Sequence, residues 1–256
     1  MQNSPYSKLS TPELPDQRSL FKVESTPTAM KQLLLLIRHG ESTWNVEHRL
    51  PGQLPGIELT ATGRAQAQRL AKALTVLPLS AIISSPLARA VETAEYLAQG
   101  RVLPIQLEPA LMDIELGHWS GQNRDELFQR DPAWTAFVHN PTVAPEDVET
   151  FPEVEERAVE AVERWLNKDA TGPLPAFVAH ADVIKLLLAH YLGLEAERAR
   201  SLWIANASVS VVALADDQSP RVLALGWNPQ PEWLQPLSAA PEQPKNEEYV
   251  VGEQNA

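Results

Sequence analysis

The chain has 256 residues, 44% of them apolar, a formal net charge of -12 and no cysteine. Length and composition suit one α/β core, and the acidic balance opposes a broad nucleic-acid or anionic-membrane surface, since neither attracts a negatively charged protein from a distance. Without cysteine there is no disulfide framework, thiolate zinc site or thiol nucleophile.

No run approaches the roughly 20 apolar residues of a spanning helix, and no basic stretch followed by an apolar one opens the chain, so a cytoplasmic protein without a membrane partner is expected. Residues 1–30 mix Ser, Thr, Pro and charged side chains, with strand character only at Leu20-Phe21-Lys22-Val23; a disordered or loosely attached arm is expected. Leu33-Leu34-Leu35-Leu36-Ile37 then suits a strand buried on both faces of a parallel sheet. It stops at Arg38-His39-Gly40, and Asn45 follows six residues after the histidine. Ligands of open α/β sheets bind beyond the carboxyl ends of strands, where Gly40 would let the backbone turn sharply beside an anion. His48 to Leu59, rich in Pro and Gly, is a loop long enough to overhang that end.

Thr60 caps a predicted helix with Ala67, Leu70, Ala71 and Leu74 on one face, and Leu79 to Ile83 reads as a second buried strand, completing a βαβ unit. Ser84-Ser85-Pro86 supplies a cap and a first-turn proline for a helix striped by Leu87, Ala90, Val91, Ala94 and Leu97. Arg89 lies off the stripe in the first turn, where an inward cation adds to the positive end of the helix dipole. A third strand around Leu103 to Leu107 leads to a segment of acids, aromatics and glycines from Leu111 to Gly121. Asp131-Pro132 opens a helix carrying Trp134, Phe137 and Val138, and residues 140–149 form a candidate lid. Thr150 and Glu153 have capping-box spacing for a helix buried through Val154, Ala158, Ala161, Val162 and Trp165.

Ala176-Phe177-Val178-Ala179-His180 repeats the opening arrangement, an apolar strand running into a histidine, followed by a helix to Leu192 with Asp182 as its cap. Ala207 to Ala215 and Arg221 to Trp227 read as a closing hairpin, and residues 229–256 as an acidic Pro/Glu-rich tail expected to be disordered. Residues 31–228 therefore form the expected domain: an α/β three-layer sandwich, with a mostly parallel central sheet and helices on both faces.

Each polar residue alone is ordinary, since a histidine at a strand end is usually structural. Together, two arginines (Arg38, Arg89), two histidines (His39, His180) and Asn45 at one sheet edge would make a cation-rich pocket in an acidic protein, and phosphate fits such a pocket. At these residues the chain resembles the histidine phosphatase superfamily, the phosphoglycerate-mutase-like family. Four pieces in order carry the likeness: Arg38-His39-Gly40-Glu41-Ser42-Thr43-Trp44-Asn45, Leu59-Thr60-Ala61-Thr62-Gly63-Arg64-Ala65-Gln66-Ala67, Ser84-Ser85-Pro86-Leu87-Ala88-Arg89-Ala90-Val91-Glu92-Thr93-Ala94, and Val178-Ala179-His180-Ala181-Asp182-Val183-Ile184-Lys185.

The resemblance implies a phosphomonoester hydrolase acting on a small phosphorylated substrate without metal or other cofactor. His39 would be the nucleophile, with Arg38, Arg89, Asn45 and His180 holding the phosphoryl oxygens. The proton donor falls at Asp113, where the family has glutamate, with Glu115 two residues on in reserve. Alanines flank His180 where the family usually has Ser-His-Gly, and a positive φ at Ala181 would strain the site. His48, His118, His139 and His190 match no required position. A phosphoglycerate mutase using the same residues is the first alternative, disfavoured because residues 116–140 offer too few basic groups for a doubly phosphorylated cofactor. A catalytically impaired phospho-ligand binding protein is the second. The expected assembly is a monomer or homodimer.

Overall fold

The computed structural model describes residues 31–216 and 218–230, so the N-terminal arm, its Leu20–Val23 strand and nearly all of the acidic tail lie outside the described residues. In chain order the first half contains β1 (Gln32–Arg38), α1 (Thr43–Val46), α2 (Ala61–Ala73), β2 (Ala81–Ser84), α3 (Ala88–Ala98) and β3 (Ile105–Leu107). The second half contains α4 (Arg124–Arg130), α5 (Pro132–His139), α6 (Phe151–Leu166), β4 (Pro175–Ala179), α7 (Ala181–Leu192), β5 (Val209–Ala215) and β6 (Gln218–Trp227).

The six strands form one sheet in the order β3-β2-β4-β1-β5-β6. The β3/β2, β2/β4 and β4/β1 pairs are parallel, and β5 and β6 add antiparallel at one edge. Successive side chains of β1 point to opposite faces. Leu35 and Ile37 join a core under α2 and α3 with Leu70, Ala90 and Leu97, while Leu34 and Leu36 join a core under α6 and α7 with Val154, Val162 and Leu187. Both faces of β1 are thus covered, which is why its sequence is continuously apolar. The expected α/β sandwich is the observed one.

Several boundaries differ from expectation. Helix α3 starts at Ala88 with Leu87 as its N-cap, so Ser84-Ser85-Pro86 is a bend before the helix. The Ser85 hydroxyl is engaged by the Leu87 N–H at 3.4 Å and by His180 at 2.9 Å, and serves the site instead of capping a helix. Helix α7 is capped by the His180 backbone, and Asp182 sits in its first turn paired with Lys185 at 3.0 Å. Helix α4 was not expected: Asn123 caps it by accepting from the Asp125 and Glu126 N–H groups, but seven residues with one buried apolar side chain, Leu127, show no period. Strand β6 begins three residues early and includes Pro220, which an edge strand tolerates.

Gly40 is required for a different reason from the one expected. Its φ is not in the left-handed region; a Cβ there would stand 2.5 Å from the carbonyl oxygen of Gly63, and a Cβ on Gly63 would stand 2.0 Å from that of Glu41. The two glycines let the backbone beyond β1 lie directly against α2, which anchors the residue after His39.

Candidate active site

Strands β1 and β4 are neighbours, with Arg38 paired to Ala179 in the parallel register. The next residue on each is a histidine, so His39 and His180 emerge side by side, ring centroids 5.2 Å apart and both buried. His39 Nδ1 lies 2.7 Å from the Gly40 carbonyl oxygen. A carbonyl only accepts, so the ring hydrogen sits on Nδ1 and the Nε2 lone pair is left available. Burial, then the charges of Arg89 and Arg38, hold the His39 pKa well below the usual imidazole value, outweighing the bond to Gly40. The same influences, burial first and Arg89 second, depress His180. Leu87 N–H donates to Ser85 Oγ, which also lies 2.9 Å from His180 Nε2, while the buried His180 Nδ1 makes no hydrogen bond among the described residues.

Arg38, His39, Asn45 and Asp113 line a cavity of about 250 Å³ at this sheet edge. That is just below the ~300–1,000 Å³ usual for drug-sized ligands and suits a small molecule. Arg89 and His180 lie fully buried against it. Arg89 donates from Nη2 to the Gly52 carbonyl at 3.0 Å and to Asp113 Oδ2 at 3.1 Å, while its buried Nε and Nη1 have no hydrogen-bond partner among the described residues. Burial lowers the Arg89 pKa against the opposing pull of Asp113, from an ordinary value so high that the guanidinium stays charged. Asn45 Oδ1 accepts from Ser42 at 3.0 Å and from Asn206 Nδ2 at 3.1 Å, so its amide nitrogen is left to face the cavity. Arg38 is steadied by an Nη1 bond of 2.7 Å to the Ile204 carbonyl.

The two candidate acids are separated. Asp113 reaches the site, 3.1 Å from Arg89 and 3.7 Å from His180 Nδ1, the latter too long for a hydrogen bond. Burial raises its pKa, the Arg89 charge opposes the rise and Asp182 adds to it. Glu115 does not share that side: its carboxylate accepts from the Gly117 N–H at 2.9 Å, outside the cavity lining. Arg157 fixes the backbone leading up to Asp113, donating to the Ala110, Met112 and Asp113 carbonyls at 2.7–3.0 Å while its Nε and Nη2 grip the Glu149 carboxylate. Residues 140–149 therefore do not form the expected lid. They clamp the acid-bearing segment, Glu149 bonding to Glu115 N–H and Asp147 to His118 N–H, and none of them lines the cavity. The strain expected at Ala181 is absent as well, because the residue is the first of α7 and its φ is negative.

The model of the histidine phosphatase superfamily (branch 1) matches residues 34–228. The chain belongs to this superfamily. A probable phosphoglycerate mutase GpmB of Cronobacter sakazakii is 34% identical over 195 residues, covering 75% of this chain and 88% of that protein. Among solved structures, Bacillus stearothermophilus YhfR aligns with a TM-score of 0.71 at 36% identity, over 76% of this chain and 96% of that one. A mycobacterial glucosyl-3-phosphoglycerate phosphatase complexed with VO3 aligns with a TM-score of 0.68 at 30% identity, over 77% and 99%.

Several residues around this candidate site escaped sequence reasoning. Asn206, on the turn before β5, donates to both the His39 carbonyl and Asn45 Oδ1, and the next residue, Ala207, is held at φ +46. The Gly52 carbonyl and the Ser85 hydroxyl engage Arg89 and His180, yet both lie in segments that read as loop or cap. Trp44, His48, Arg49 and Arg124 also line the cavity, so His48 is not remote from the site and residues 116–140 do place a cation there. His118, His139 and His190 lie outside the lining and pair with Asp147, the Thr135 carbonyl and Glu155.

Proposed function

We propose that this histidine phosphatase superfamily member hydrolyses a small phosphomonoester through a phosphohistidine formed on His39. The observation that carries the reading is the His39 tautomer: Nδ1–H is spent on Gly40, and burial of the ring, helped by the charges of Arg89 and Arg38, keeps it neutral with the Nε2 lone pair available. Nε2 attacks phosphorus, the ester P–O bond breaks, and the leaving alkoxide takes the proton of the Asp113 carboxylic acid. Asp113, now a carboxylate, removes a proton from water as the water oxygen attacks phosphorus. The P–Nε2 bond breaks, inorganic phosphate leaves, and both residues return to their starting state. Arg38, Arg89, the Asn45 amide and the His180 ring hold the phosphoryl oxygens, and the two guanidinium groups supply the positive charge that offsets theirs.

The grounds for an impaired binding protein weaken, since Ala181 is unstrained and Asp113 lies beside Arg89 and His180. Mutase activity has the support of the GpmB likeness and of Arg124 in the cavity wall. Both reactions pass through phosphohistidine, so products separate them. Quenching the protein with a ³²P-labelled ester should leave acid-labile, base-stable label on wild type and none on His39→Ala. Release of inorganic phosphate supports hydrolysis; isomerised phosphoglycerate without release supports the mutase; neither product nor label overturns the phosphohistidine reading.

A further inference from the structure

His39 owes the position of its ring hydrogen to one carbonyl, that of Gly40. A Cβ on Gly40 would stand 2.5 Å from the Gly63 carbonyl oxygen, so the position demands glycine. A residue without Cβ has the widest choice of φ and ψ. Unbraced, such a joint would let the Gly40 carbonyl swing away from His39 Nδ1. The backbone on either side is held. Before the joint, the His39 carbonyl accepts from Ala207 N–H at 3.0 Å and from Asn206 Nδ2 at 3.2 Å, and Gly40 N–H donates to Thr93 Oγ1 at 3.1 Å. After it, the Glu41 carbonyl accepts from Thr60 N–H at 2.9 Å and the Glu41 carboxylate from the Thr60 hydroxyl at 2.6 Å.

Between these anchors lies one peptide plane, from Gly40 to Glu41, and it carries the acceptor that matters. Its C=O takes the His39 Nδ1–H bond of 2.7 Å, and its N–H donates to Gln66 Oε1 at 2.9 Å. Among the described residues, neither group makes another hydrogen bond. A trans peptide is rigid, with N–H and C=O pointing oppositely in one plane, so the bond at Gln66 sets the direction of the carbonyl at His39. Accepting from the N–H also polarises the plane and makes its oxygen a better acceptor. Gln66 stands on α2 three residues after Gly63, half-buried and outside the lining of the catalytic cavity.

We propose that Gln66 is a positioning residue for His39: by holding the Glu41 N–H it keeps the Gly40 carbonyl on Nδ1–H and so keeps the ring hydrogen off Nε2. The inference rests on the phosphohistidine reading for its consequence in rate, whereas the tautomer itself is independent of turnover. With an apolar side chain at position 66 the peptide plane can rotate, and the Gly40 carbonyl no longer selects one ring nitrogen. A fraction of His39 then carries its hydrogen on Nε2, which has no lone pair left to attack phosphorus. Gln66 does not touch the cavity, so substrate affinity is untouched.

Labelling the histidine rings with ¹⁵N reads the tautomer directly, since protonated and unprotonated ring nitrogens resonate far apart, and the spectrum of His39→Ala assigns the His39 signals by difference. At about pH 8, where the ring is neutral, the wild-type chain should show the Nδ1–H form alone. Gln66→Met and Gln66→Ala, each confirmed folded by its thermal transition, should show both tautomers of His39. Their kcat on phosphomonoesters should fall about three- to tenfold, the worth of one hydrogen bond, with KM little changed. Gln66→Glu keeps an acceptor and should return the single tautomer. A His39 signal that stays wholly Nδ1–H in the Met and Ala variants overturns the assignment, even if the rate falls. Loss of the single tautomer in the Glu variant as well would make the effect one of packing and overturn it too. A tautomer shift in a protein whose wild type forms no phosphohistidine would count against the phosphatase reading alone and leave the role of Gln66 standing.

Discussion

Asp113 Oδ2 lies 3.1 Å from Nη2 of Arg89, a guanidinium with no exposed surface, so the candidate proton donor and a candidate phosphate clamp share one hydrogen bond. Asp113→Asn should lower kcat on alkyl phosphates by about 10²–10⁴-fold, the range of general acid–base catalysis, and by much less on p-nitrophenyl phosphate, whose leaving group departs without a proton. Because burial raises the Asp113 pKa, the acid form persists to higher pH than for an exposed aspartate, and the alkyl-ester rate should fall as pH rises through that value. The Asn variant should lose this limb. Glu115→Gln should leave the leaving-group dependence unchanged, and equal small effects of both substitutions would refute Asp113 as the donor.

The depressed pKa values of His39 and His180 carry a stability consequence. Both rings stay neutral in the folded protein, whereas in the unfolded chain they protonate near pH 6.5. Below that pH the unfolded state binds more protons, so stability is fully present above 6.5 and is lost as pH falls. The slope approaches about 1.4 kcal/mol per pH unit for each histidine. Urea denaturation at pH 7.5, 6.5 and 5.5 measures it, and His180→Asn should roughly halve the slope. A flat profile would mean that the two rings titrate normally. Asp113, with its pKa raised, works in the opposite sense, contributing stability as pH falls through its folded value.

Arg157 holds three backbone carbonyls of the acid-bearing segment and the Glu149 carboxylate. Arg157→Met should destabilise the protein by about 2–4 kcal/mol, since it strands those acceptors and leaves Glu149 unpaired. It should also cut kcat on alkyl phosphates more than on p-nitrophenyl phosphate, the signature of a displaced Asp113. A uniform loss across leaving groups would make Arg157 structural only. Arg157→Lys should recover little, because one ammonium cannot span the carbonyls and the bidentate carboxylate.

Gly63→Ala tests the contact of the two backbones behind His39. In an open helix the change would gain roughly 1 kcal/mol, but here the new Cβ would meet the Glu41 carbonyl oxygen at 2.0 Å. A net loss above about 3 kcal/mol in chemical denaturation is expected, with activity falling as the residues after His39 are displaced. A neutral or stabilising result would show that the two backbones can separate.

Much of the candidate site was legible because the residues proposed to hold a phosphoryl group are contiguous with strand and helix signals. An apolar run ending in Arg38-His39, its repetition ending in His180, and a first-turn Arg89 each announce themselves locally. The choice between Asp113 and Glu115 was not legible. It depends on whether residues 113–117 run extended, and the structure turns them so that Glu115 accepts from Gly117. The role of residues 140–149 was misread because a polar loop looks alike whether it covers a pocket or grips a neighbouring backbone.

The sequence by itself determined the sandwich, the strand ends and the residue types gathered there, because hydrophobic period and the position of a polar break are local properties. Only the tertiary structure decided which carboxylate meets Arg89, that Asn206 orients Asn45, that Gly40 serves close approach to α2, and that Arg49 and Arg124 share a wall. Those outcomes depend on loop conformation and on contacts between segments distant in the chain. They are set by packing and hydrogen bonding across the fold, which leave no periodic trace in the residues themselves.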